Sequence, residues 1–227
     1  QGELAAVKRA HELGVGAEYD DAQIYAALGK TAEVNALVED RLRRPSRGEE
    51  NPAALMMFAA REYRAHGFKD ASTDMTNRAL AWYESRPSSE GTEARQINIA
   101  LALLHAERWR DVREHLTKLA KRFNWSLNEE PGILGILGRV AAHMGDTALA
   151  KAHMEKLKSV NPVAGYRGNA YPRALIAAAL GQKEQAAVLL RQAFAEGVNY
   201  EPYLHREIDL QAMQNYPPIK ELLWPER

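Results

Sequence analysis

Cysteine is absent from the 227 residues, which excludes a disulfide scaffold, a thiolate metal site and a cysteine nucleophile together. Net charge is absent too. Thirty basic side chains balance thirty acidic ones, which argues against a nucleic-acid binder that relies on a broad basic field. Long apolar runs are missing. Stretches such as residues 99–104 and 174–180 fall well short of the ~20 residues that a membrane helix needs. No basic segment followed by an apolar one opens the chain as a signal peptide would. Neither a membrane nor a nucleic acid is expected as a partner, and a cytoplasmic location is expected. Aromatic residues are scarce at 7%, yet hydrophobic residues reach 46%, which excludes a disordered chain. The first two residues are Gln1-Gly2 rather than Met, as a cleaved tag would leave them, so a fragment of a longer protein is expected.

Alanine and leucine dominate what is there, and both lose little side-chain freedom in a helix. No period-two alternation persists. Apolar residues recur instead at spacings of three and four: Ala186, Leu189, Leu190 and Ala193 share one helix face. The fold class is all-α.

Helix-breaking points recur in similar settings. Gly29, Gly67, Glu107, Gly145 and Gly181 each follow a short apolar or mixed helical segment, at successive spacings of 38, 40, 38 and 36 residues. Such a period fits stacked helical hairpins. Five, nine and twelve residues after each breaker lies one face of a second helix. After Gly145 these are Ala150, Met154 and Leu157; after Gly181, Ala186, Leu190 and Ala193; after Glu107, Val112, Leu116 and Leu119. Val34, Val38 and, less well, Arg41 follow Gly29, and the match is poor at Ser72, Thr76 and Ala79.

The unit Leu134-Gly135-Ile136, Gly138, Ala141, Gly145, Ala150, Met154, Leu157 and Pro162 resembles the tetratricopeptide repeat. The unit beginning near Ala170 matches in its second half, at Gly181, Ala186, Leu190 and Ala193. The resemblance implies a right-handed α-solenoid of about five helical hairpins over residues 17–197, within a single domain spanning 1–227. A leading helix is expected at 1–14 and a helical cap at 198–227. The repeats exceed the usual ~34 residues, so extended connections are expected near 43–51, 86–91 and 123–130. The closing segment, with Asp209-Leu210 and Tyr216-Pro217-Pro218, resembles the end of bacterial tetratricopeptide regions that follow a kinase or DNA-binding domain. A sensor or regulatory region of such a protein is the alternative function. For the cap, Tyr203, Leu204, Ile208, Leu210, Met213, Ile219, Leu222, Leu223 and Trp224 supply apolar surface for the last hairpin.

Catalytic signatures are missing. No His-Glu-x-x-His, Gly-x-Ser-x-Gly or phosphate loop is present, so neither a catalytic residue, a metal nor a cofactor is expected. Gly132, Gly135 and Gly138 lie in an apolar helix pattern, where close helix packing is their expected use. His105 and His143 hold the same position near the ends of first helices, where the dipole favours a charged, solvated histidine. A metal-binding or pH-sensing pair is the alternative.

What remains is a binding surface. The family pattern implies that the first helices line a concave face. Their outward positions are Tyr19, Gln23, Met57, Arg61, Arg64, Ile97, Asn98, Leu101, Arg139, His143 and Tyr171. Arginine forks pair with carboxylates and tyrosine gives rigid contact area. The Lys-Asn set with which the family grips a C-terminal carboxylate is absent. The expected function is non-catalytic recognition of a protein or peptide, with an acidic or amphipathic segment lying along Arg61, Arg64, Arg139 and Tyr171. An unrecognised helical-hairpin hydrolase or lyase is the enzymatic alternative.

Overall fold

The computed structural model describes residues 18–45, 51–86, 92–123, 130–162, 167–199 and 204–223. The expected leading helix at 1–14, parts of the three long connections, and Tyr203 and Trp224 lie outside the described residues. Among the described residues every regular element is helical, and no helix is long and apolar enough to cross a membrane. The helices are α1 (Glu18–Ala27), α2 (Thr31–Arg43), α3 (Pro52–Ala65), α4 (Lys69–Glu84), α5 (Glu93–His105) and α6 (Trp109–Phe123). They continue with α7 (Pro131–His143), α8 (Thr147–Lys156), α9 (Ala170–Ala179), α10 (Lys183–Ala195), a 3-10 turn (Leu204–Arg206), α11 (Ile208–Gln211) and α12 (Pro217–Leu223).

Helix starts follow local chemistry. Asn51 caps α3, its Oδ1 accepting from the Ala54 N–H at 2.9 Å, and Pro52 fills the first turn, where no N–H is needed. Thr92 caps α5 in the same way through the Arg95 N–H. The ends of the first helices are more uniform. Gly29, Gly67, Gly145 and Gly181 all adopt positive φ, between 68° and 86°. Each is followed by an N–H that reaches back to the carbonyl five residues before the glycine's successor: Lys30 to Tyr25, Phe68 to Tyr63, Asp146 to Ala141 and Gln182 to Ala177, all at 2.8–2.9 Å. This closure satisfies carbonyls that the helix end would orphan. Glu107 occupies the corresponding turn at φ 57°, with a side chain where the others have none.

The chain groups into two compact units, Gln1–Ala106 and Glu107–Arg227, with the boundary falling in sequence between α5 and α6. In the first, α1 packs on α2 and α3, α3 on α4, and α5 on α3 and α4. In the second, α7 packs on α6, α8 and α9, and α9 on α8 and α10. Each unit thus has helical hairpins whose first helices also touch. All fifteen positions at five, nine and twelve residues past the breakers are buried. That includes the poor matches. Ser72 is 4% exposed and Thr76 2%, because their hydroxyls donate to the Ala60 and Ser72 carbonyls at 2.8 Å. A buried hydroxyl is tolerated once it is bonded.

The glycines of α7 divide by use. A Cβ on Gly135 would stand 2.8 Å from Pro172 Cβ, and one on Gly138 would overlap Ile176 Cδ1; both neighbours belong to α9. Gly132 meets nothing within 4 Å. The C-terminal segment packs on the last hairpin, with α11 against α9 and α12 against α10. Leu204, Leu210, Met213, Ile219 and Leu223 join the core cluster of the second unit.

The contrast among the α7 glycines is testable by thermal or urea unfolding. Gly138→Ala is expected to cost about 1–3 kcal/mol through overpacking against Ile176. Gly132→Ala is expected to gain about 0.5–1 kcal/mol by relieving glycine's entropy in an exposed helical turn. Equal effects of the two changes would rule out close packing as the reason for Gly138.

Candidate functional site

The stripe Ala54, Met57, Phe58 and Arg61 runs along α3 at helical spacing and forms one wall of a groove of about 440 Å³ in the first unit. Tyr19 of α1, Asn98 and Leu101 of α5 and Tyr83 of α4 complete it. Tyr19 meets Phe58 edge-on, with ring centroids 5.3 Å apart at 75°. The Tyr83 ring is 3% exposed. Burial pushes its phenol up to about 12, against the opposing pull of Arg61 and Arg95 and with a small push from Tyr19. The phenol therefore stays protonated at neutral pH. Among the described lining residues Arg61 carries the one charge. The groove is apolar walls, two phenols, an amide and a guanidinium, which suits hydrogen-bonded, charge-assisted docking.

Tyr19, Met57, Arg61 and Asn98 are thus brought together from three helices, with Leu101 beside them. Gln23 and Arg64 lie on α1 and α3 but outside the lining, and Ile97 is half-buried on α5. Three lining residues, Ala54, Phe58 and Tyr83, escaped the sequence reading. Phe58 sits three before Arg61 and four after Ala54, a signal that was present. Tyr83 comes from α4, a second helix, whereas the expected surface was drawn from first helices alone.

His105, expected to be solvated, is 6% exposed. Its Nε2 lies 3.1 Å from Ser72 Oγ. The Ser72 proton goes to the Ala60 carbonyl, so the imidazole is the donor to the hydroxyl oxygen. Burial, then the charges of Arg61 and Arg64, hold His105 down at about 3, with a backbone bond to Ala60 opposing. His105 is a neutral core residue of the first unit. His143 belongs to the second unit and has partners of its own.

In the second unit, the expected groove residues Arg139, His143 and Tyr171 are engaged by the chain's own acidic segment: Arg139 is buried, Tyr171 half-buried, and His143 stays exposed. Arg139 is 6% exposed, and its Nε donates to Asp209 Oδ2 while Nη2 donates to Glu207 Oε2 at 3.1 Å. The His143 Nε2 donates to the other oxygen of Asp209 at 2.6 Å. The Tyr171 hydroxyl donates to Glu207 Oε1 at 3.2 Å. The His143 ring stacks on Trp109 of α6, with centroids 4.0 Å apart and planes within 3°. The chain's own acidic segment therefore fills the place assigned to a ligand, because the path from α10 to α12 returns across α7 and α9. Burial alone would raise the Asp209 carboxyl, but Arg139, and then His143, hold it below the usual range. Burial and Glu207 push the Tyr171 phenol well above its ordinary value.

No family model, no curated protein and no solved structure matches this chain.

Two outcomes follow from this geometry. Asp209→Ala removes one of the two carboxylates that pair with the buried Arg139 guanidinium, leaving only Glu207, and is expected to cost about 3 kcal/mol. Pairing Arg139→Met with Asp209→Leu should restore most of that loss in urea unfolding. His105 gives a pH signature. Its pKa is about 3 in the folded chain and ~6.5 in an unfolded one, so the unfolded state binds more protons between those values. Stability must then fall as pH drops below 6.5, by about 2 kcal/mol at pH 5 from this group. His105→Gln should remove that part of the slope when unfolding is compared at pH 7.5 and pH 5. Parallel slopes in the two proteins would show that His105 is protonated in the fold.

Proposed function

We propose that this chain is a non-catalytic recognition module that takes a protein or peptide segment along the groove of its first unit. In this reading its hairpins are those of a right-handed tetratricopeptide-like solenoid. The observation that carries it is the convergence of Tyr19, Met57, Arg61 and Asn98 from α1, α3 and α5 on one groove of about 440 Å³. Residues so far apart in sequence meet there because the first helices of successive hairpins pack together. The groove is shaped by packed helices before a ligand arrives, which lowers the ordering cost of binding. Tyr83, held protonated, and Arg61, always charged, provide hydrogen bonds and charge rather than proton transfer near neutral pH. That chemistry favours binding over catalysis.

Panning the full chain against a displayed random peptide library tests this reading. Selected peptides should bind with affinities that fall at least tenfold in Ala54→Phe, a change that fills the groove without altering charge. Peptides that bind the variant as tightly as the unchanged chain would move the site away from the groove.

A further inference from the structure

The two units share a register. Arg61 and Arg139 each lie six residues before the turn glycine of their hairpin, and Tyr19 and Tyr171 each lie ten before theirs. In both units the arginine and the tyrosine come from neighbouring first helices, α1 and α3 in the first, α7 and α9 in the second, in opposite chain order. In the second unit this pair has a ligand on the page. Glu207 accepts from both Arg139 and Tyr171, and Asp209 accepts from Arg139 and His143. Glu207 stands in an extended conformation just before α11, Asp209 lies in its first turn, and Leu210 is fully buried. The bound element is two carboxylates one residue apart, followed by an apolar anchor.

The first unit presents the same two residue types at the same register positions around its groove. Arg61 lies in the groove itself, and both it and Arg95 act on the buried Tyr83 phenol. Phe58 and Leu101, both half-buried, line the groove and offer apolar surface to an anchor. We infer that the partner of the first-unit groove is an acidic peptide segment of the form Glu-x-Asp-apolar, the chemistry that Glu207-Ile208-Asp209-Leu210 presents to the second unit. This inference rests on the recognition reading above and names the ligand class for that groove. The second unit carries the chain's own copy of the ligand.

The test uses a terminally blocked peptide of residues 204–213 as the probe, and the same peptide with its Glu and Asp replaced by Gln and Asn. Calorimetry on the full chain should show the acidic peptide binding at least tenfold more tightly, and more weakly as salt is raised. Arg61→Gln should reduce that preference to less than twofold. Binding should survive in the Arg139→Met, Asp209→Leu protein, because the second unit is not the site. Equal binding of both peptides, lost in Ala54→Phe, would overturn the acidic preference and keep the groove as a peptide site. Acidic-peptide binding that ignores Arg61→Gln but disappears in the Arg139→Met, Asp209→Leu protein would mean that the probe competes for the tail's own place, and would also overturn it. Failure of either peptide to bind at millimolar concentration would overturn the ligand class, while the library selection decides independently whether the groove binds peptides at all.

Discussion

Each first helix ends in a left-handed turn, and every other position in the structure counts from it. The turn residue takes positive φ, and at the four glycine turns the N–H that follows closes on a carbonyl five residues back. That closure ends one helix and starts the next within three residues, which fixes the rotation of the second helix against the first. The consequence is a register with a common origin. Positions five, nine and twelve past the turn point into the core; positions six and ten before it carry the Arg and Tyr residues of the two sites. Glycine meets the turn's backbone demand without strain, whereas Glu107 holds the same conformation against the steric penalty of its Cβ.

One register position has two fates. Arg61 lines an open groove, whereas Arg139 is buried under Glu207 and Asp209. A buried guanidinium is tolerable only when its charge and donors are matched. The tail supplies two carboxylates for that purpose, and His143 and Tyr171 take the remaining oxygens. Apolar burial by Leu204, Leu210, Met213, Ile219 and Leu223 holds the acidic segment in place, each side chain contributing roughly 1.5–3 kcal/mol. The ion network fixes where the tail lies; its apolar residues provide most of the attraction.

The two histidines that share a register position show how little that position alone decides. His105 is enclosed next to Ser72 and faces two arginines, so its neutral form is favoured. His143 lies on a stacked tryptophan and donates to a carboxylate. Sequence placed both near helix ends. Only their neighbours distinguish a core residue from a member of an ionic network.

By itself the sequence determined the helical class, the spacing of the turns and the buried face of each second helix, because these follow from backbone geometry and a period of 3.6 residues. Even Ser72 and Thr76, poor by composition, are buried where the spacing put them. Five residues of the first-unit groove, Tyr19, Met57, Arg61, Asn98 and Leu101, were legible only through the repeat resemblance, which implies that first helices line one face. Tyr83 was not, because it enters from a second helix. The fate of Arg139 was not legible either. Its partners lie 68 and 70 residues away in sequence, and no local pattern links them. Their meeting depends on the path of the chain after α10, and burial against α9 and α10 sets that path. Tertiary structure alone therefore decided which arginine lines a groove and which one is buried under the tail, because desolvation and charge pairing depend on neighbours in space.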